Sequence, residues 1–68
     1  MEWQQAVELA ESILDRIDDL PEQAEDFGIS VEEKTRDLLA WVKKHRECTP
    51  KIAEALENMS RGVDRWIP

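Results

Sequence analysis

Apolar positions from Val31 to Trp66 fall into two rows with a rhythm close to 4-3-4-3. Val31, Leu38 and Val42 precede the Cys48-Thr49-Pro50 junction, and Ile52, Leu56, Met59, Val63 and Trp66 follow it. Residues at that spacing share one face of a helix. Thr49 is a favourable N-cap, and Pro50 suits the first helical position because the N–H it lacks would have no partner there. The pattern predicts a helical hairpin whose second arm runs unbroken from Pro50 to about Ile67, with Met59 in the core. The outer face of that arm mixes Lys51, Glu54, Glu57, Arg61, Asp64 and Arg65, and Glu57 and Arg61 stand at the i,i+4 spacing of mutually supportive charges. Gly62 lies beside the apolar row and leaves room for another backbone.

The N-terminal stretch predicts a third helix, Trp3 to Leu20. Trp3, Ala6, Val7, Leu9, Ala10, Ile13, Leu14, Ile17 and Leu20 fill two adjacent stripes of its wheel, and Glu2, Glu8, Glu11, Asp15, Asp18 and Asp19 occupy the rest, with Arg16 alone in opposition. So wide an apolar stripe suits a helix lodged between two others. Pro21 ends it, since the residue before a proline is driven out of the α region.

Residues 21–30 admit two readings. Pro21 and the acids after it can open a helix that continues through Gly28, because Ala24, Phe27, Val31, Leu38 and Val42 hold one register. Against this, Gly28 costs about 1 kcal/mol relative to Ala inside a helix, and Ser30-Val31-Glu32-Glu33 has the form of a capping box that starts a helix afresh. Phase favours the continuous helix. In either case acids come early and Lys43, Lys44, His45 and Arg46 come late, as the helix dipole prefers.

These elements predict an all-α fold: a three-helix up-down-up bundle built on the C-terminal hairpin, forming a single helical domain over residues 1–68. Trp3 and Trp66 are in phase with their rows and are expected in the core. Leu39 and Trp41 lie off the Leu38–Val42 row and are expected to broaden the face of the middle helix toward a further contact, either with the first helix or with a docking partner or dimer seam. A chain of 68 residues buries a limited share of its surface. Without disulfides, so small a core is helped by a partner or a second copy.

Charge sharpens this picture. Residues 1–37 hold twelve acids and three bases, whereas residues 38–68 hold four acids and six bases, so the net charge of −7 is an N-terminal property. Long-range attraction to nucleic acid or an anionic membrane is therefore not expected of the whole molecule. Cys48 is the single cysteine, so no internal disulfide forms and a reducing compartment is the natural setting. The first twenty residues carry acids every few positions, which argues against a signal peptide or a membrane span. A cytoplasmic location is the expectation.

Candidate chemistry is sparse. Ser12, Ser30 and Ser60 sit in no nucleophile-elbow or phosphate-loop pattern. His45 and Cys48 form an H-x-x-C pair, but two ligands do not close a zinc site. Asp15, Asp18 and Asp19 lack the glycine-centred loop of a calcium site and read as a solvated face. No enzyme activity, metal or cofactor is expected.

Two resemblances add to this reading. Ile52-Ala53-Glu54-Ala55-Leu56 followed by Ser60-Arg61-Gly62-Val63-Asp64-Arg65-Trp66-Ile67 resembles the helix-turn-helix of bacterial DNA-binding proteins, an I-A-x-x-L helix and an S-R-x-x-V-x-R-W-I recognition helix, and Leu56 and Val63 have its seven-residue separation. Glu57 stands where that turn usually has Gly, Asn58 where it has an apolar residue, and Ser60 is displaced by one. The resemblance implies Arg61 and Arg65 as DNA contacts. More of the chain, namely Phe27, Trp41, Thr49, Ala55-Leu56-Glu57-Asn58-Met59, Gly62-Val63 and Trp66, is similar to a small helical module of bacterial and phage proteins with the pattern F, T-x-K-Q, A-L-x-N-M and G-x-x-x-W, departing at Ile52 in place of Gln. That similarity implies a compact helical unit, often accessory to larger proteins.

The functional expectation is a non-enzymatic module that binds a partner protein or itself. Leu39, Trp41 and the Met59 row would supply apolar contact, and the anionic side of the first helix around Asp15, Asp18 and Asp19 would set partner choice. The alternative is an acidic inhibitor whose Glu8, Glu11, Asp15, Asp18, Asp19, Glu22, Glu25 and Asp26 imitate the phosphates of nucleic acid before a DNA-handling protein.

Overall fold

The computed structural model describes residues 1–67, and Pro68, the last residue of the domain expected over 1–68, lies outside the described residues. Among the described residues there are three α-helices and no strands: α1, Trp3–Ile17; α2, Glu25–His45; and α3, Pro50–Trp66. A 3₁₀ turn, Glu22–Ala24, leads into α2. Contacts of Arg16 with Ser60 and of Gly28 with Leu20 bring the C-terminal ends of α1 and α3 beside the N-terminal end of α2. The order is up-down-up, as the sequence predicts. At about 1.5 Å of rise per residue, the 21 residues of α2 account for most of the molecule's 35 Å length.

The core joins Ala6, Ala10 and Ile13 of α1 to Val31 and Val42 of α2 and Leu56 and Val63 of α3. Ala6 and Ala10 keep the inner face of α1 thin, and interaxial distance follows side-chain size at the contact. α1 accordingly packs closely on both neighbours; its interface with α2 is the most extensive of the three, and that between α2 and α3 the least. Thr35 is also fully buried. It occupies the position that the Val31–Leu38 spacing skips, and its hydroxyl donates to Met59 Sδ at 3.6 Å.

Local chemistry sets the ends of each helix. The Glu2 N–H donates to Gln5 Oε1 at 3.1 Å at the start of α1. α1 stops at Ile17, three residues short of the expected Leu20, because the chain tightens before Pro21: Asp19 N–H bonds to Arg16 O at 3.0 Å and Leu20 N–H to Ile17 O at 3.1 Å. α2 passes through Gly28 and Ser30 without a break, so register prevails over the capping-box reading. A Cβ on Gly28 would lie 3.1 Å from Leu20 Cδ1, which explains the glycine: it lets the turn after α1 close on α2. α2 ends on Arg46, held left-handed at φ 50° with its N–H bonded to Val42 O at 2.8 Å. Thr49 caps α3 as expected, its Oγ1 accepting from Ile52 N–H at 3.2 Å.

Two expectations need correction. Trp66 is 43% exposed and is not a core residue. Val63 in the same turn is fully buried and Ile67 packs on the core, whereas Trp66, three residues from Val63 and so about 60° around the helix, stands at the margin of the row. Gly62 admits no second backbone; instead a Cβ there would lie 2.9 Å from Cζ of the Phe27 ring.

Replacing a helical glycine by alanine ordinarily gains about 1 kcal/mol. Gly62→Ala is expected to gain nothing, whereas in a Phe27→Leu background it should recover that gain, giving a coupling of about 1 kcal/mol in a double-mutant cycle of urea unfolding. Equal gains in both backgrounds would show that the ring moves aside freely. Arg46→Gly relieves a left-handed residue and is expected to stabilise by about 0.5–1 kcal/mol, read as a higher urea midpoint at unchanged slope.

Candidate interaction surfaces

The polar side of α1 divides into acids that face solvent and one cation that does not. Asp15 lies exposed on α1, and Asp18 and Asp19 lie exposed in the turn that follows. Arg16 reaches across to α3: Nη1 pairs with Asp64, Nη2 donates to Ser60 Oγ at 2.7 Å, and Nε donates to Ser12 O at 3.3 Å. Its side chain is only 26% exposed. A surface ion pair contributes little by itself, about 0–1 kcal/mol, but three directed bonds fix the side chain in one place. Arg16 is therefore engaged with α3 and leaves Asp15, Asp18 and Asp19 without a counter-charge from their own helix. The sequence marked Arg16 only as a lone base on an acidic face; its partner stands 48 residues away, beyond any local spacing rule.

Arg61 and Arg65 are exposed on α3. Glu57 approaches Arg61 at 3.8 Å, and Asp64 holds Arg16, so this face mixes both signs. α3 is one helix through Glu57–Ser60, where the helix-turn-helix resemblance requires a turn. The two-helix arrangement that would present Arg61 and Arg65 to a DNA groove is not formed here. Glu57 and Asn58, which lack the features of that turn, continue the helix instead.

Leu39 and Trp41 do not combine into one patch. In a continuous helix, residues two apart stand about 160° apart around the axis. They flank the Val31–Thr35–Val42 row on opposite sides, and both are partly buried against the core. Trp41 stacks on His45 with ring centroids 4.2 Å apart, and His45 Nδ1 lies 2.9 Å from Trp41 O. Cys48 Sγ donates to Thr49 O at 3.6 Å. His45 and Cys48 are thus engaged separately with neighbouring backbone, and among the described residues no three His, Cys, Asp or Glu gather as a ligand set. No described helix is long and apolar enough to cross a membrane.

Two concave surfaces stand out among the described residues. One is a groove of about 510 Å³ between α2 and α3, floored by Leu38, Ala55 and Met59 and edged by Lys34, Asp37 and Asn58. It lies along the least extensive of the three helix interfaces. The other is a cleft of about 330 Å³ where the α1–α2 turn meets α2, formed by Ile17, Leu20, Gly28 and Ile29 with Glu22, Glu25 and Glu32. Met59 was legible as an apolar position. The cleft was not, because it depends on how the turn folds back.

If Leu39 and Trp41 support the bundle from its two flanks, Leu39→Ala and Trp41→Ala should each destabilise the isolated chain by about 1–3 kcal/mol. Trp66→Ala, at an exposed position, should cost under about 1 kcal/mol. Thermal unfolding followed by circular dichroism checks the ranking.

Compared with protein-family models, with curated proteins and with solved structures, the chain matches none.

Proposed function

We propose that this chain is a non-enzymatic protein-interaction module that takes an apolar helix face, from a partner protein or a second copy of itself, into the groove between α2 and α3. The observation that carries this reading is the groove itself, with Leu38, Ala55 and Met59 at its floor and polar residues only at its edges. A helix laid there would complete a four-helix arrangement and bury what the α2–α3 interface leaves open. Met59 suits the role, since its flexible thioether adapts to whatever side chain arrives. Lys34 and Asp37 on one rim offer a charge of each sign, a set that a two-fold related copy can answer reciprocally. The acids around Asp15, Asp18 and Asp19 would act at longer range, favouring basic partners during encounter.

A second reading has its own support. Glu8, Glu11, Asp15, Asp18, Asp19, Glu22, Glu25 and Asp26 are all exposed, and the one base among them is turned toward α3. Such a surface would let the chain occupy the basic groove of a DNA-handling protein as an imitation of phosphate. That binding would collapse with added salt, because exposed charge contacts are screened.

Sedimentation of the full chain over a wide concentration range, with Ala55→Arg as the control, tests the first reading. Association that Ala55→Arg abolishes at unchanged helicity is the expected outcome for self-binding. A chain that stays monomeric, and whose Leu38, Ala55 and Met59 amide resonances ignore an added apolar amphipathic helix, removes it.

A further inference from the structure

We propose that the cleft at the α1–α2 turn is a second docking site, and that its occupant is a cationic amphipathic polypeptide segment that places an aliphatic side chain between basic ones. Ile29 is the anchor point. It is 50% exposed although it sits in a concave surface, beside Leu20 and over Gly28, so an incoming aliphatic group finds apolar contact already in place. Gly28 sets the depth of the floor: Leu20 Cδ1 lies 3.1 Å from where a Cβ would stand, so the missing side chain leaves room for the turn against the helix and shapes the cleft wall.

Charge identifies the occupant. Glu25, Ile29 and Glu32 stand at i, i+4 and i+7 on one stripe of α2, so the two carboxylates bracket the isoleucine over about 10 Å of helix. Glu22 borders the same cleft from the 3₁₀ turn. Among the described residues neither Glu22 nor Glu25 has a cationic partner within ion-pair distance, and Glu32 is held only by Arg36 at 2.8 Å in an exposed i,i+4 pair. An exposed pair of that kind is weak, so Glu32 can exchange Arg36 for an incoming base. A neutral apolar occupant would cover the carboxylates without pairing them, at a desolvation penalty, and an anionic one would be repelled. A segment with an aliphatic residue flanked by Lys or Arg one helical turn away on each side meets all three features. The cleft and the α2–α3 groove lie on opposite flanks of α2, so this site stands independently of the function proposed above.

The test is a titration of the full ¹⁵N-labelled chain with a capped synthetic peptide of Leu and Lys in helical alternation, followed by amide shifts. Two comparison peptides accompany it: the same pattern in Leu and Glu, and an oligolysine of equal charge. Shifts centred on Leu20, Gly28 and Ile29 are expected. Ile29→Ser and Glu25→Lys, both at exposed positions with helicity checked by circular dichroism, should each weaken binding about tenfold or more, as loss of an aliphatic contact or a charge pair implies. Ala55→Arg should leave binding unchanged, and the Leu-Glu peptide should not bind. Any of four results overturns the proposal. Equal binding of oligolysine, or indifference to Ile29→Ser, would reduce the cleft to diffuse charge attraction. Shifts at Leu38 and Met59 in place of Leu20 and Ile29 would move the peptide to the other groove, sinking this site while favouring the function proposed above. An absence of shifts at low salt would remove the site altogether.

Discussion

The bundle depends on the thin inner face of α1. Ala6, Ala10 and Ile13 are the fully buried residues of α1 in the shared core, two of the three are alanines, and larger side chains such as Trp3, Leu9 and Ile17 pack around them. Small side chains here let one helix approach two others at once, so α1 closes the structure by proximity and larger residues fill in around it: Val31 and Val42 from α2, Leu56 and Val63 from α3. Packing at native density leaves little tolerance for change along such a seam. The α2–α3 hairpin, although contiguous in sequence, is held together mainly by what each arm buries against α1.

That arrangement has a corollary for the surface. Because α1 serves both neighbours, α2 and α3 meet least extensively with each other, and the line between them opens into the groove of Leu38, Ala55 and Met59. On the other flank of α2, the turn after α1 folds back onto Gly28 and leaves Ile29 reachable among carboxylates. The two concave surfaces thus follow from one packing choice and differ in charge because the cleft is edged by Glu22, Glu25 and Glu32 whereas the groove carries only the opposed Lys34 and Asp37. Arg16 reinforces the difference by pairing with α3 and leaving its neighbouring acids uncompensated.

Much of the fold was legible along the chain because its determinants are local. The Thr49-Pro50 start of α3, the register of α2 through Gly28 and the helical order all rest on spacing and capping, which a linear reading sees. What escaped it rests on distance. Arg16 reaches Asp64 and Ser60, Phe27 lies against Gly62, and Thr35 meets Met59, each pair separated by more than twenty residues. Thr35 left a trace as the unfilled step between Val31 and Leu38, where a hydroxyl-bearing residue concealed a core position. Trp66 shows the converse: periodicity places it at the margin of the row, and Val63 and Ile67 rather than Trp66 take the inward positions of that turn. Leu39 and Trp41 were grouped by nearness in sequence, which in a helix separates them.

The antiparallel setting of α2 also sorts charge by height. Its N-terminus lies beside the end of α1, gathering Asp15, Asp18, Asp19, Glu22, Glu25 and Asp26 with Arg16, Arg61 and Arg65 at one end of a 35 Å body, while Lys43, Lys44, Arg46 and Lys51 share the other with Glu2, Glu47 and Glu54. The molecule is therefore unevenly charged from end to end, strongly acidic at one and nearly balanced at the other. In the field of a charged surface it will turn before it touches, so the end that arrives first is selected by torque during diffusion, ahead of any contact between side chains.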